Sequence, residues 1–125
     1  MKNYLETDYR NFVYTSRYSR WLESENRREA WPETVDRYIS NVVEPKLLDG
    51  GLVEEVKQAI LSCGIMPSMR AMMTAGAAFN RDNVCGYNCS YLHVDDPKAF
   101  DEAMYILLCG TGVGFSVERQ FIKKL

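Results

Sequence analysis

The segment from Tyr87 to Glu118 constrains the fold of this chain more than any other. YNCSYLHV, residues 87–94, has the aromatic and β-branched content of a strand, and VGFSVE, residues 113–118, reads as a second one. Between them Asp95 or Asp96 caps a helix opened by Pro97, with Phe100, Met104, Leu107 and Leu108 on its buried stripe and Gly110 at its end. Strand, helix and strand within about 30 residues make a βαβ unit, whose strands run parallel and whose crossover is expected to be right-handed. Parallel strands need cover on both faces, and two of them can neither close a barrel nor complete a doubly wound sheet. A sequence that reaches Leu125 directly after one such unit reads as the front of something larger.

The preceding residues read as helical. Residues 1–31, rich in Tyr, Arg and Glu, have no clear apolar stripe and suggest an irregular or partly helical arm. Pro32 opens a helix carrying Val35, Ile39, Val42 and Val43, which Pro45 stops. After Asp49-Gly50-Gly51, the positions Leu52, Val53, Val56, Ala59 and Ile60 repeat the helical spacing, with Gly64 placed as the C-cap. From Met66 to Asn83 the Met, Ala and Gly content suits a ligand-facing loop or close backbone packing better than a solvated helix. The expected organisation is a mostly helical region over residues 1–64 and an α/β region over 65–125.

Composition excludes some functions. Fifteen Lys plus Arg against seventeen Asp plus Glu give a net charge of -2, so no whole-chain basic field draws in nucleic acid or anionic lipid. The first residues, MKNYLETDYRNF, lack the apolar run of a secretory signal, and the most apolar stretch, Ala103 to Phe115, is too short to span a bilayer as a helix. A cytoplasmic protein without a membrane span is expected, in which the four cysteines, Cys63, Cys85, Cys89 and Cys109, are reduced, catalytic or simply buried rather than bridged.

Two local patterns bear on chemistry. Cys109-Gly-Thr-Gly-Val-Gly-Phe115 would let a backbone approach a ligand closely. It is not a dinucleotide fingerprint, because Phe115 stands where the last glycine would be and the order is helix then strand; nor does it end in the Gly-Lys-Ser or Gly-Lys-Thr of a Walker loop. Taken alone it reads as a tight turn between helix and strand. Cys85, Cys89 and His93 are candidate zinc ligands, but Cys89 and His93 lie about 13 Å apart along a strand and no second Cys-x-x-Cys pair exists. No metal site is expected. Alternation puts Tyr87, Cys89, Tyr91 and His93 on one strand face, where a thiol facing a cavity can give a substrate hydrogen and electrons and then form a disulfide. The partner of Cys89 is not identifiable.

MPSMRAMMTAG, NCSY and DDPKAFDEAMYILLCGTGVGFSVER together resemble the start of the catalytic barrel of adenosylcobalamin-dependent class II ribonucleotide reductases, most closely the monomeric triphosphate-type branch. The resemblance runs from about Tyr18 to Arg119. It implies a ten-stranded α/β barrel, present here only as its first βαβ unit, and thiyl-radical reduction of ribonucleotides to deoxyribonucleotides. It also implies that Cys89 is a redox-active cysteine forming a disulfide with a downstream cysteine, that Ser68 contacts substrate phosphate, and that Asn88 and Gly112 line the substrate. Implied companions are a ribonucleoside triphosphate, the remainder of the reductase, a thioredoxin-type reductant, and adenosylcobalamin held mainly by that remainder. Cys63, Cys85 and Cys109 match no catalytic role. Other readings are a non-catalytic nucleotide-binding or interaction module derived from the barrel, and a small thiol or metal protein.

Overall fold

The computed structural model describes residues 4–125, so the first three residues of the expected arm lie outside the described residues. Helix α1, Asp8–Arg17, starts where the Thr7 hydroxyl accepts the Arg10 N–H, with Asp8 in its first turn and Arg17 in its last, each charge opposed to the helix dipole. A short hairpin follows, β1 (Trp21–Leu22) antiparallel to β2 (Arg27–Arg28). The arm is thus more ordered than the sequence reading. Its anchors are polar: Tyr14, the buried residue of α1, donates its hydroxyl hydrogen to the Glu29 carbonyl at 2.7 Å. An apolar-periodicity argument cannot see such a contact.

Helix α2, Trp31–Tyr38, carries Pro32 in its first turn, and the Glu33 carboxylate turns back to accept the Ala30 N–H at 2.6 Å. It continues as a π-turn, Ile39–Val43. Helix α3, Gly50–Leu61, is capped by the Asp49 carboxylate, which accepts the Gly51 N–H at 2.9 Å. At its far end the left-handed residue is Cys63, at φ 58°, and not Gly64. The reason is the closing hydrogen bonds, since the N–H groups of both Gly64 and Ile65 reach back to Ala59 O and force the reversal one residue earlier. Leu5, Tyr14, Trp31, Val35, Ile39, Ile60, Leu61 and Met72 form the core, with Trp31 donating Nε1–H to Leu61 O at 3.0 Å.

The stretch from Met66 to Asn83, expected as a ligand-facing loop or as close backbone packing, contains two short helices, α4 (Met69–Thr74) and α5 (Ala77–Arg81), followed by a 3₁₀ turn, Asn83–Gly86, and it buries Met72, Thr74 and Ala75. Partners far away in sequence hold them. Arg37 donates to the carbonyls of Met72 (2.7 Å) and Ala75 (2.9 Å), and Arg20 donates to that of Met73 (2.8 Å). Arg37 is fixed in turn by Glu29, which is only 6% exposed, at 2.7 and 2.9 Å, and Thr34 donates to the same carboxylate at 2.8 Å.

Strand β3 (Cys89–His93), helix α6 (Lys98–Leu108) and strand β4 (Gly112–Ser116) form the expected βαβ unit, with β3 and β4 parallel and Cys89 paired with Gly112, Tyr91 with Gly114. The N-cap of α6 is Pro97, just ahead of which the Asp96 carboxylate accepts the Lys98 N–H at 2.8 Å, and Gly110, at φ +89°, follows its end. A last turn, α7, spans Arg119–Ile122. The described residues therefore have an α/β fold containing two two-stranded sheets, without the further strands of a barrel. One expectation fails: Phe100, Met104, Leu107 and Leu108 are exposed, Leu108 by 80%. Among the described residues nothing covers that stripe, because the core lies in residues 5–72 and only Val94 and Ala99 are buried apolar residues of the βαβ unit. No described helix is long and apolar enough to cross a membrane.

Two outcomes follow from this packing. The isolated chain should self-associate through the bare α6 stripe and the open strand edges, so light scattering should give a mass that rises with concentration; a monomer that binds no hydrophobic dye would contradict this. Stability should also fall in acid. The hydrogen bonds from Arg27, then from Ala30 N–H, hold the Glu33 carboxyl down at about 2 against an ordinary 4.5. Burial pushes the Glu29 carboxyl up, but hydrogen bonds from Arg37, Thr34 and the Arg20 N–H outweigh it and leave it below its ordinary value. Both carboxylates are depressed, so their stabilisation is present above about pH 4.5 and is lost as pH falls toward 2. The urea midpoint should therefore drop between pH 5 and pH 3, and less steeply in Glu33→Gln.

Candidate functional site

The parallel pairing of β3 and β4 brings three of the four expected site residues together. The Gly112 N–H donates to Asn88 O at 3.0 Å, and the Cα of Cys89 pairs directly with that of Gly112. Paired residues of parallel strands point to the same side, so the face bearing Cys89 and Tyr91 is flanked on β4 by Gly112 and Gly114. The result is a bare trough beside an exposed thiol.

The backbone does not demand glycine at either place. Neither residue has a left-handed φ. A Cβ on Gly112 would sit 3.3 Å from Asn88 O, a tight contact, and one on Gly114 would sit 3.7 Å from Ser90 O, an ordinary one. Apart from these two backbone oxygens nothing lies within 4 Å of either position, so the trough is open to a ligand that lies along β4. Its floor is rigid: Thr111, 2% exposed, donates its hydroxyl hydrogen to Val84 O at 2.7 Å and is 3.2 Å from Tyr87 O, while the Ser90 hydroxyl donates to Gly112 O at 3.1 Å.

Ser68 belongs to a different element. It is the exposed N-cap of α4, where its hydroxyl accepts the Ala71 N–H at 3.5 Å. Two residues on, an Arg70 guanidinium nitrogen lies 3.6 Å from where a Cβ on Gly110 would be, so the start of α4 abuts the glycine turn that leads into β4.

The other cysteines stand apart from the trough. Cys85 and Cys109 line a cavity of about 490 Å³ with Asp82 and Tyr105. The Tyr105 hydroxyl donates to Asp82 at 2.5 Å, and this bond, with a smaller contribution from Cys109, pushes the tyrosine up to about 12. Cys63 lines a separate apolar cavity of about 320 Å³ beside Trp31 and Tyr14. His93 stacks on Phe121 at 4.7 Å and pairs with Asp95 at 3.5 Å. Among the described residues no group of three or more His, Cys, Asp or Glu side chains could hold a metal ion. Sequence reasoning missed Thr111 and Arg70. Thr111 had a usable signal, as the polar residue between two glycines at a strand entry; Arg70 had none, because its neighbour Gly110 is forty residues away.

Residues 2–62 match the family model of the ribonucleotide reductase alpha domain. The adenosylcobalamin-dependent ribonucleoside-triphosphate reductase of Lactobacillus leichmannii is 26% identical over 146 residues, covering 90% of this chain and 20% of that protein. The enzyme of the same name from Lactobacillus helveticus strain DPC 4571 is 27% identical, covering 84% of this chain and 18% of the relative. A crystal structure of a B12-dependent class II ribonucleotide reductase superposes with a TM-score of 0.72 at 24% identity, over 91% of this chain and 20% of that one. The chain is thus related to the ribonucleotide reductases. Its similarity is to the N-terminal region of the adenosylcobalamin-dependent ones, and it spans about a fifth of the length of the curated relatives it matches.

Substitutions at the trough and beneath it should separate in their effects. Gly114→Ala should leave the unfolding midpoint within about 1 kcal/mol of the parent. Thr111→Val, which removes the part-buried hydroxyl that donates to Val84 O, should cost about 1–3 kcal/mol. Denaturant titration at low protein concentration reads both; a large loss in Gly114→Ala would mean that the glycine serves packing.

Proposed function

We propose that this chain is the N-terminal part of an adenosylcobalamin-dependent ribonucleotide reductase, active only when joined or assembled with the remainder of the barrel. In this reading residues 1–64 are the helical support, residues 65–125 begin the ten-stranded barrel, and β3 and β4 are its first two strands. The observation that carries it is the exposed Cys89 thiol beside the bare Gly112–Gly114 trough, on a two-stranded sheet whose Cys89-bearing face and outer edges are open among the described residues.

The ribose of a ribonucleoside triphosphate lies along the trough with its α face toward Cys89, and Asn88 and Gly112 border it. Ser68 contributes its hydroxyl to the phosphates. Cys89 and a cysteine of the remainder together give up two electrons and two protons. Their S–H bonds break and a disulfide forms, the 2′ carbon–oxygen bond breaks, the hydroxyl leaves as water, and hydrogen takes its place. A thioredoxin-type dithiol then reduces the disulfide. Adenosylcobalamin supplies radical initiation when bound. In this reading it is held mainly by the remainder of the reductase.

Assembled with the remainder of the reductase, the chain should support ribonucleotide reduction, and Cys89→Ser should abolish multiple turnover because serine cannot form a disulfide. Cleavage of the cobalt–carbon bond should persist in that variant. Cys63→Ala, Cys85→Ala and Cys109→Ala should cost stability rather than turnover. Full thioredoxin-driven turnover in Cys89→Ser, or its loss in Cys85→Ala with the fold intact, would place the redox role on another cysteine.

A further inference from the structure

Four arginines of the described chain are partly buried: Arg20, Arg27, Arg37 and Arg70. Burial of a guanidinium is costly unless its five N–H donors find acceptors. Arg20 has Met73 O, Arg27 has the carboxylates of Glu25 and Glu33, and Arg37 has Glu29 with the carbonyls of Met72 and Ala75. Arg70 is the exception: among the described residues its side chain has neither a hydrogen bond nor an ion pair. This is not for want of carboxylates in the chain, which carries seventeen Asp plus Glu.

Its position says what the missing acceptor is. One guanidinium nitrogen lies 3.6 Å from the Cβ position of Gly110, two residues before Gly112 and the start of the trough. Ser68, the residue read as a phosphate contact, is two residues before Arg70 at the start of α4. Over residues 109–117 and 87–92, which make the glycine turn and the strand bearing Cys89, there is no charged side chain. A cation with open donors at the rim of an otherwise uncharged trough suits an anionic oxygen on the ligand.

We propose that Arg70 is a substrate-binding residue whose guanidinium holds a phosphate oxygen of the ribonucleotide at the head of the Gly112–Gly114 trough. This rests on the reading of the trough as the nucleotide site and deepens it: Arg70, not Ser68 alone, makes the site select phosphorylated substrates. A guanidinium can hold two oxygens at once, which also fixes the direction in which the nucleotide lies.

Equilibrium dialysis of the chain assembled with the remainder of the reductase tests this, using CTP and unphosphorylated cytidine as probes. Arg70→Gln should raise the dissociation constant for CTP about 10- to 100-fold, the range of a hydrogen bond to a charged group, and leave that for cytidine within about twofold. Arg70→Lys should recover part of the loss, since it keeps the charge without the fork. Equal weakening of CTP and cytidine would assign Arg70 to the fold or to a carboxylate of the remainder, and unchanged CTP affinity would remove it from the site; either result overturns the proposal. If the unsubstituted complex binds neither CTP nor cytidine, the nucleotide reading of the trough falls, and Arg70's role with it.

Discussion

The rest of the structure depends on the buried pair between Glu29 and Arg37. Each residue without the other would be an uncompensated charge in the interior, a defect of about 3–5 kcal/mol. Paired, they organise everything around them. Glu29 collects the Arg37 guanidinium, the Thr34 hydroxyl and the Arg20 N–H, while its backbone carbonyl receives the Tyr14 and Ser19 hydroxyls. The other guanidinium nitrogen of Arg37 donates to the carbonyls of Met72 in α4 and of Ala75, which caps it. One ion pair thereby joins α1, the hairpin, α2 and α4, and it fixes the helix whose first turn carries Ser68 and Arg70.

This network explains which parts of the fold the sequence revealed. Helices α2, α3 and α6 and strands β3 and β4 were legible because apolar spacing, prolines and caps are local signals. Helix α1 and the pair α4–α5 were not, because polar contacts reaching as far as 53 residues along the chain hold them. The displaced helix end at Cys63 has a similar origin, since two N–H groups converging on one carbonyl decided where the backbone reversed. Of the candidate site, Asn88, Cys89 and Gly112 do lie together; strand register alone is enough to bring residues 88–89 beside 112. Ser68 and Arg70 enter through α4, whose placement no local pattern encodes.

The exposed stripe of α6 is a failed expectation that supports the functional reading. A stripe of Phe100, Met104, Leu107 and Leu108 at helical spacing is a core-facing pattern, and in the described residues it meets no core. The strands are in the same condition, with Tyr91 and Phe115 largely exposed. Local sequence and local structure agree with each other here. What they lack is the layer against which a parallel sheet and its helix ordinarily pack.

The bare trough has a mechanical consequence for Cys89. A cysteine side chain has a single heavy-atom torsion, and on a sheet its rotamers are normally restricted by the neighbour on the adjoining strand. Here that neighbour is Gly112, and the next along the same face is Gly114. The sulfur is left room to pivot through about 120° while the strand beneath it stays still. In the proposed reading, where the thiol faces a sugar in one step and a second sulfur in the next, rotation about one bond serves both, with no movement of the backbone.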